Sequence, residues 1–104
     1  MNNLFIKPEH LKLLKDIFNK YCPEAEIWAY GSRVNGGAHE GSDLDLAVIN
    51  WNAENKSISE LKSLLQESSI PFLVDINDFN TLPESFQKEI LKKYAAIDFS
   101  AKNT

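Results

Sequence analysis

The chain has 104 residues, 43% of them apolar and 25% charged, with a formal net charge of −4. That composition excludes a disordered chain and supplies one compact core, with too little sequence for two domains. It also argues against a basic nucleic-acid footprint, because the nearest cluster, Lys88, Lys92 and Lys93, fits a solvated helix face. The single cysteine, Cys22, closes no internal disulfide, which points to a reducing compartment and to the cytoplasm as the expected location. Apolar runs are far shorter than the roughly 18 residues of a spanning helix.

Residues 1–7 read as a flexible arm and residues 100–104 as a frayed tail. Pro8 suits the first turn of a helix, whose apolar face is Leu11, Leu14, Ile17, Phe18 and Tyr21, and Pro23 stops it. Glu26 to Tyr30 is a β-rich run ending at Gly31, and a short helix fits after Ser32. Leu44 to Ile49 is a second strand and Asn50 to Asn55 a polar loop, in which Trp51 suggests an interface. Ser57 and Glu60 form a capping box for a helix carrying Ile58, Leu61, Leu64 and Leu65. Phe72 to Ile76 is a third strand. Thr81 and Glu84 suggest a second capping box, for a last helix lined by Phe86, Ile90, Tyr94 and Ile97. The order α-β-α-β-α-β-α predicts one α/β (α+β) domain over residues 1–104, with a small three-stranded mixed sheet backed by helices.

The chemistry concentrates in YGSRVNGGAHEGSDLDLAVIN, Tyr30 to Asn50. Strand side chains alternate, so Asp43 and Asp45 share a face, with Cα atoms roughly 6.6 Å apart, while Leu44, Leu46 and Val48 face the core. Asp75 stands between Val74 and Ile76 on the third strand and joins them if the apolar faces align. Three convergent carboxylates repel, since like charges about 4 Å apart cost about 1 kcal/mol in water and several times more at a protein surface. Divalent cations remove the conflict, and hard oxygen donors with open positions suit a pair of Mg²⁺ ions that also bind substrate phosphates. Upstream, Gly31 permits a sharp turn and close approach of a ligand to the backbone. Ser32 can cap the short helix or bond a phosphate.

An isolated Asp-x-Asp is weak evidence; the third carboxylate and the Gly-Ser turn give it weight. Competing motifs fail. Gly31 to Gly36 has the first spacing of a P-loop, but Gly37-Ala38 stands where Lys and Ser or Thr are required. A calcium loop from Asp43 would need an oxygen ligand at Ala47 and glycine at Val48. His39 in the glycine loop and His10 on the first helix have no zinc-ligand spacing.

These residues resemble the polymerase-β-like nucleotidyltransferase superfamily. Its pattern runs from an apolar residue through Gly-Ser and a spacer to Asp-apolar-Asp-apolar, here Tyr30-Gly31-Ser32, Arg33 to Ser42, then Asp43-Leu44-Asp45-Leu46, with Val74-Asp75-Ile76 as the later carboxylate. Size and the Gly-Ser-Arg wording are similar to the minimal nucleotidyltransferases, several of which pair with a helical HEPN-type toxin. The resemblance implies transfer of AMP from ATP to a toxin tyrosine, and hence an antitoxin. It implies Asp43, Asp45 and Asp75 as catalytic metal ligands for two Mg²⁺ ions, and Gly31, Ser32 and Arg33 as nucleotide contacts. Arg33 has an alternative reading, in which it pairs with a carboxylate to fix the short helix. Two rival functions are transfer to a small aminoglycoside-like hydroxyl and a nucleotide-binding antitoxin that acts by contact alone.

Overall fold

A computed structural model describes residues 4–50 and 57–99. Helix α1, Pro8–Tyr21, starts with its proline in the first turn and buries Leu14 and Phe18. Strand β1, Glu26–Tyr30, leads through Gly31 into the single turn of α2, Ser32–Asn35. Strand β2, Leu44–Asn50, precedes α3, Ile58–Glu67, and β3, Val74–Asp78. A 3₁₀ turn over Phe79–Thr81, helix α4, Glu84–Lys92, and strand β4, Ala95–Ile97, complete the described chain.

The sheet order is β3-β2-β1-β4. Strands β2 and β3 run parallel, with Leu44 beside Val74 and Asp45 beside Asp75. Strand β1 runs antiparallel to both of its neighbours. Strand alternation then builds two faces. Ile27, Ala29, Leu44, Leu46, Val48, Val74, Ile76 and Ile97 pack with Leu14 and Phe18 of α1 and Leu61 and Leu65 of α3. The opposite face carries Trp28, Tyr30, Asp45 and Ala47, with α4 contributing Ile90 over Tyr30 and Ala47. Asp45 and Asp75 thus occupy the face opposite the main core, as strand alternation predicts.

The fold class is as expected, with a fourth strand added. Ala95–Ile97, read from sequence as a continuation of the last helix, pairs with β1 instead. Ala is a good helix former, but three residues of backbone pairing satisfy the open edge of β1 and override that preference. Strand β3 also begins two residues later than expected, because its ladder starts at Leu44, the first residue of β2. Phe72 accordingly leaves the strand and packs beneath Arg33.

The Ser57 cap forms, its hydroxyl accepting from the Glu60 N–H at 3.1 Å. The reciprocal arm is taken over by Tyr21, whose hydroxyl donates to the Glu60 carboxylate and accepts from the Ser57 N–H, tying α1 to α3. The expected Thr81–Glu84 box does not form. Thr81 donates its hydroxyl proton to the Asp78 carbonyl at 2.8 Å, and Pro83 stands at the N-cap of α4 without a side-chain cap. Trp51, the tail 100–104 and the start of the arm lie outside the described residues. From Phe5 the arm is docked: the Phe5 N–H donates to the Arg33 carbonyl at 2.7 Å.

Candidate active site

The site grows from two strand ends. Tyr30, the last residue of β1, is the register partner of Asp45 on β2, and Asp45 is the register partner of Asp75 on β3. Adjacent strands lie about 4.8 Å apart, so the two carboxylates are lateral neighbours on one face. The crowding has an electrical signature. Asp45 is held above the ordinary carboxylate range, first by its burial, then by the charge of Asp75 and then by that of Asp43. Asp75 also accepts a hydrogen bond at 3.3 Å from Asn77, two residues on along the same face.

Gly31 follows Tyr30 with φ of +81°, a conformation that glycine adopts at no steric cost. A Cβ on it would lie 2.5 Å from the Asp45 Oδ2, so the bare Cα lets the carboxylate lie against the turn. Gly31 is also the N-cap of α2, leaving the exposed Ser32 at the first helical position, where its side chain does no capping.

Arg33 is placed differently from the nucleotide contact expected of it. It is 2% exposed. Its guanidinium donates to the backbone carbonyls of Phe5, Glu40 and Ser42 at 2.7–2.9 Å. It also stacks 4.1 Å from the Phe72 ring centroid. The hydrogen-bond partners are carbonyls rather than the carboxylate of the alternative reading, with Asp43 acting on the guanidinium through its charge. Burial lowers the guanidinium pKa and Asp43 raises it. Arg33 is thus a clasp that fixes the loop delivering Asp43. In that loop His39 is a turn former, its Nδ1 accepting from the Gly41 N–H at 3.1 Å.

A divalent cation suits this donor set chemically: the ligands are hard oxygens, and a cation would favour the ionised form of Asp45 that burial and then the charges of Asp75 and Asp43 disfavour. Among the described residues, no three His, Cys, Asp or Glu side chains are already closed into a chelating group. The structure therefore places Asp45 beside Asp75, with Asp43 close enough to act on Asp45 electrostatically.

The sequence profile described as "Polymerase beta, Nucleotidyltransferase" matches residues 12–98. The chain belongs to that nucleotidyltransferase family. It is 40% identical over 95 residues to the "Probable protein adenylyltransferase MntA" of Haemophilus influenzae, spanning 90% of this chain and 83% of that protein. A solved structure described as "Crystal structure of the toxin-antitoxin with AMP-PNP" shares the fold with a TM-score of 0.68. That match is 20% identical and covers 88% of this chain and 74% of the other. The expected enzyme class, a nucleotidyltransferase, is borne out. Among the described residues, no helix is long and apolar enough to cross a membrane.

Sequence reasoning missed two neighbours of the carboxylates. Tyr30 counted only as the apolar position of the nucleotidyltransferase pattern. Its phenol is pushed up to about 12 by burial and by Asp45 and Asp75, so it remains a protonated hydroxyl at neutral pH. Asn77 carried a legible signal, a polar side chain two residues beyond Asp75 and hence on its face.

Proposed function

We propose that this chain is a Mg²⁺-dependent protein adenylyltransferase that moves AMP from ATP onto a tyrosine hydroxyl of a HEPN-type helical toxin, silencing it in the cytoplasm. The observation that carries the reading is the Asp45–Asp75 pair set against the Gly31 turn, with Gly31 bare of a side chain where the Asp45 carboxylate lies. The relative named a probable protein adenylyltransferase supports AMP transfer to a protein. The toxin–antitoxin fold neighbour, with its ATP analogue, is consistent with the partner class.

Asp43, Asp45 and Asp75 would hold Mg²⁺, which when bound offsets phosphate charge and lowers the pKa of a coordinated hydroxyl. The Gly31 backbone and the Ser32 hydroxyl would receive the β- and γ-phosphates at the opening of α2. Asp75, at the outer strand, would orient the acceptor hydroxyl and take its proton. The acceptor oxygen then bonds to the α-phosphorus as the bond to the bridging oxygen breaks, and pyrophosphate leaves opposite the incoming oxygen. Catalysis would rest mainly on positioning and charge stabilisation.

The test combines the purified protein, a HEPN-type partner and α-labelled ATP, with the Asp43→Asn/Asp45→Asn double variant beside the wild type. Label should appear on a partner tyrosine with the wild type and vanish with the double variant, whose fold is unchanged by circular dichroism. Retained labelling in the variant rejects the metal assignment. A stable complex that never becomes labelled would identify an antitoxin acting by contact, and label on an added aminoglycoside alone would reassign the acceptor.

A further inference from the structure

A triphosphate brings several negative charges to a chain of net charge −4 whose site already sets Asp45 beside Asp75, within reach of the charge of Asp43. Arg33, the cation nearest in sequence, is committed to loop carbonyls. Another cation stands on the opposite flank of the site. A recess of about 240 Å³ has Gly31, Asn35, Asp45, Phe86 and Lys93 among its walls. The sheet order fixes its position relative to the chemistry: β1 and Gly31 flank β2 on one side, and β3 with Asp75 on the other. Attack from the Asp75 side therefore drives the leaving group toward the recess, because attacking and leaving oxygens stand roughly in line.

Lys93 is the C-cap of α4. A lysine at a helix C-terminus is ordinary in itself. Its neighbours single this one out. Glu89, the other acidic wall of the recess besides Asp45, is held by Lys92 at 3.1 Å. Among the described residues Lys93 takes part in no ion pair. Its ammonium, held in no close ion pair, lines the same recess as Asp45 and the Gly31 backbone.

We propose that Lys93 is a substrate-binding residue that engages the β- and γ-phosphates of the nucleotide, and then the departing pyrophosphate, in the recess between α2 and α4. The proposal rests on the nucleotidyl-transfer reading above. The binding of ATP, AMP and pyrophosphate, each with Mg²⁺, is measured by calorimetry on the wild type, Lys93→Gln and Lys93→Arg. Loss of one charge-assisted phosphate contact should weaken ATP and pyrophosphate about tenfold. AMP binding should stay at the wild-type value, and Lys93→Arg should recover most of the lost affinity. Equal weakening of ATP and AMP, no weakening of ATP, or a wild type that binds no ATP overturns the proposal. Partner labelling separates the two readings. A wild type that binds ATP with the Lys93→Gln pattern yet labels nothing sinks the transfer reading alone. Labelling by a Lys93→Gln protein with wild-type ATP affinity sinks the Lys93 assignment alone.

Discussion

At Gly31 two demands fall on one atom. The turn needs a positive φ, and the Asp45 carboxylate needs the space that a Cβ would occupy. Gly31→Ala should therefore act on both stability and chemistry. The backbone strain should cost about 1–3 kcal/mol. Displacing the Asp45 carboxylate by an ångström or so should lower turnover about a hundredfold. Thermal melts and steady-state transfer assays on the same sample check both. Turnover equal to wild type would mean that the position of the Asp45 carboxylate does not matter for the reaction. The sequence showed the glycine and both aspartates but not their contact, because strand alternation says which face a side chain takes and nothing about which turn lies above it.

At the scale of elements, the loop between α2 and β2 is turned by its own His39 and Ser42 side chains and clamped to the rest of the fold by Arg33. The guanidinium joins Phe5 of the arm, Glu40 and Ser42 of the loop, and the ring of Phe72 ahead of β3. Lysine keeps the charge but has neither the planar fork nor the ring stacking. Arg33→Lys should thus cost about 2–4 kcal/mol, read from chemical denaturation midpoints. A variant of unchanged stability that binds ATP more weakly would return Arg33 to the nucleotide. Nothing local in the sequence distinguishes these roles, because the carbonyls involved come from distant segments. The elements α1, β1, α2, β2 and α3 were legible from period and caps, with Pro8 and Ser57 marking starts. Residues 95–97 were not, because their strand exists only through pairing with β1. The start of β3 was misread because apolar alternation continues through Phe72, whereas the ladder begins at Val74.

At the scale of the whole molecule, the raised Asp45 couples folding to protons and, in the proposed mechanism, to metal. A carboxyl whose folded pKa lies above its unfolded 3.8 stabilises the fold fully below the unfolded value, and that contribution is lost as pH rises through the folded value. At neutral pH the ionised group therefore opposes folding in the metal-free protein. Asp45→Asn should melt higher than wild type at pH 7 without metal, and the gap should close as the pH falls below the carboxylate range. Millimolar Mg²⁺ should raise the wild-type midpoint and leave that of Asp45→Asn almost unchanged. Differential scanning fluorimetry over pH, with and without Mg²⁺, checks both. A wild-type midpoint indifferent to Mg²⁺ and Mn²⁺ would remove the cation from the proposed mechanism.

The pairing of β1 with β4 sets a condition on biosynthesis. Ile27 meets Ile97 across the sheet, so the strand leading into the Gly31 turn acquires its second neighbour only after nearly all of the described chain has left the ribosome. Until then β1 presents an open hydrogen-bonding edge, the kind of surface that recruits other nascent chains or a chaperone.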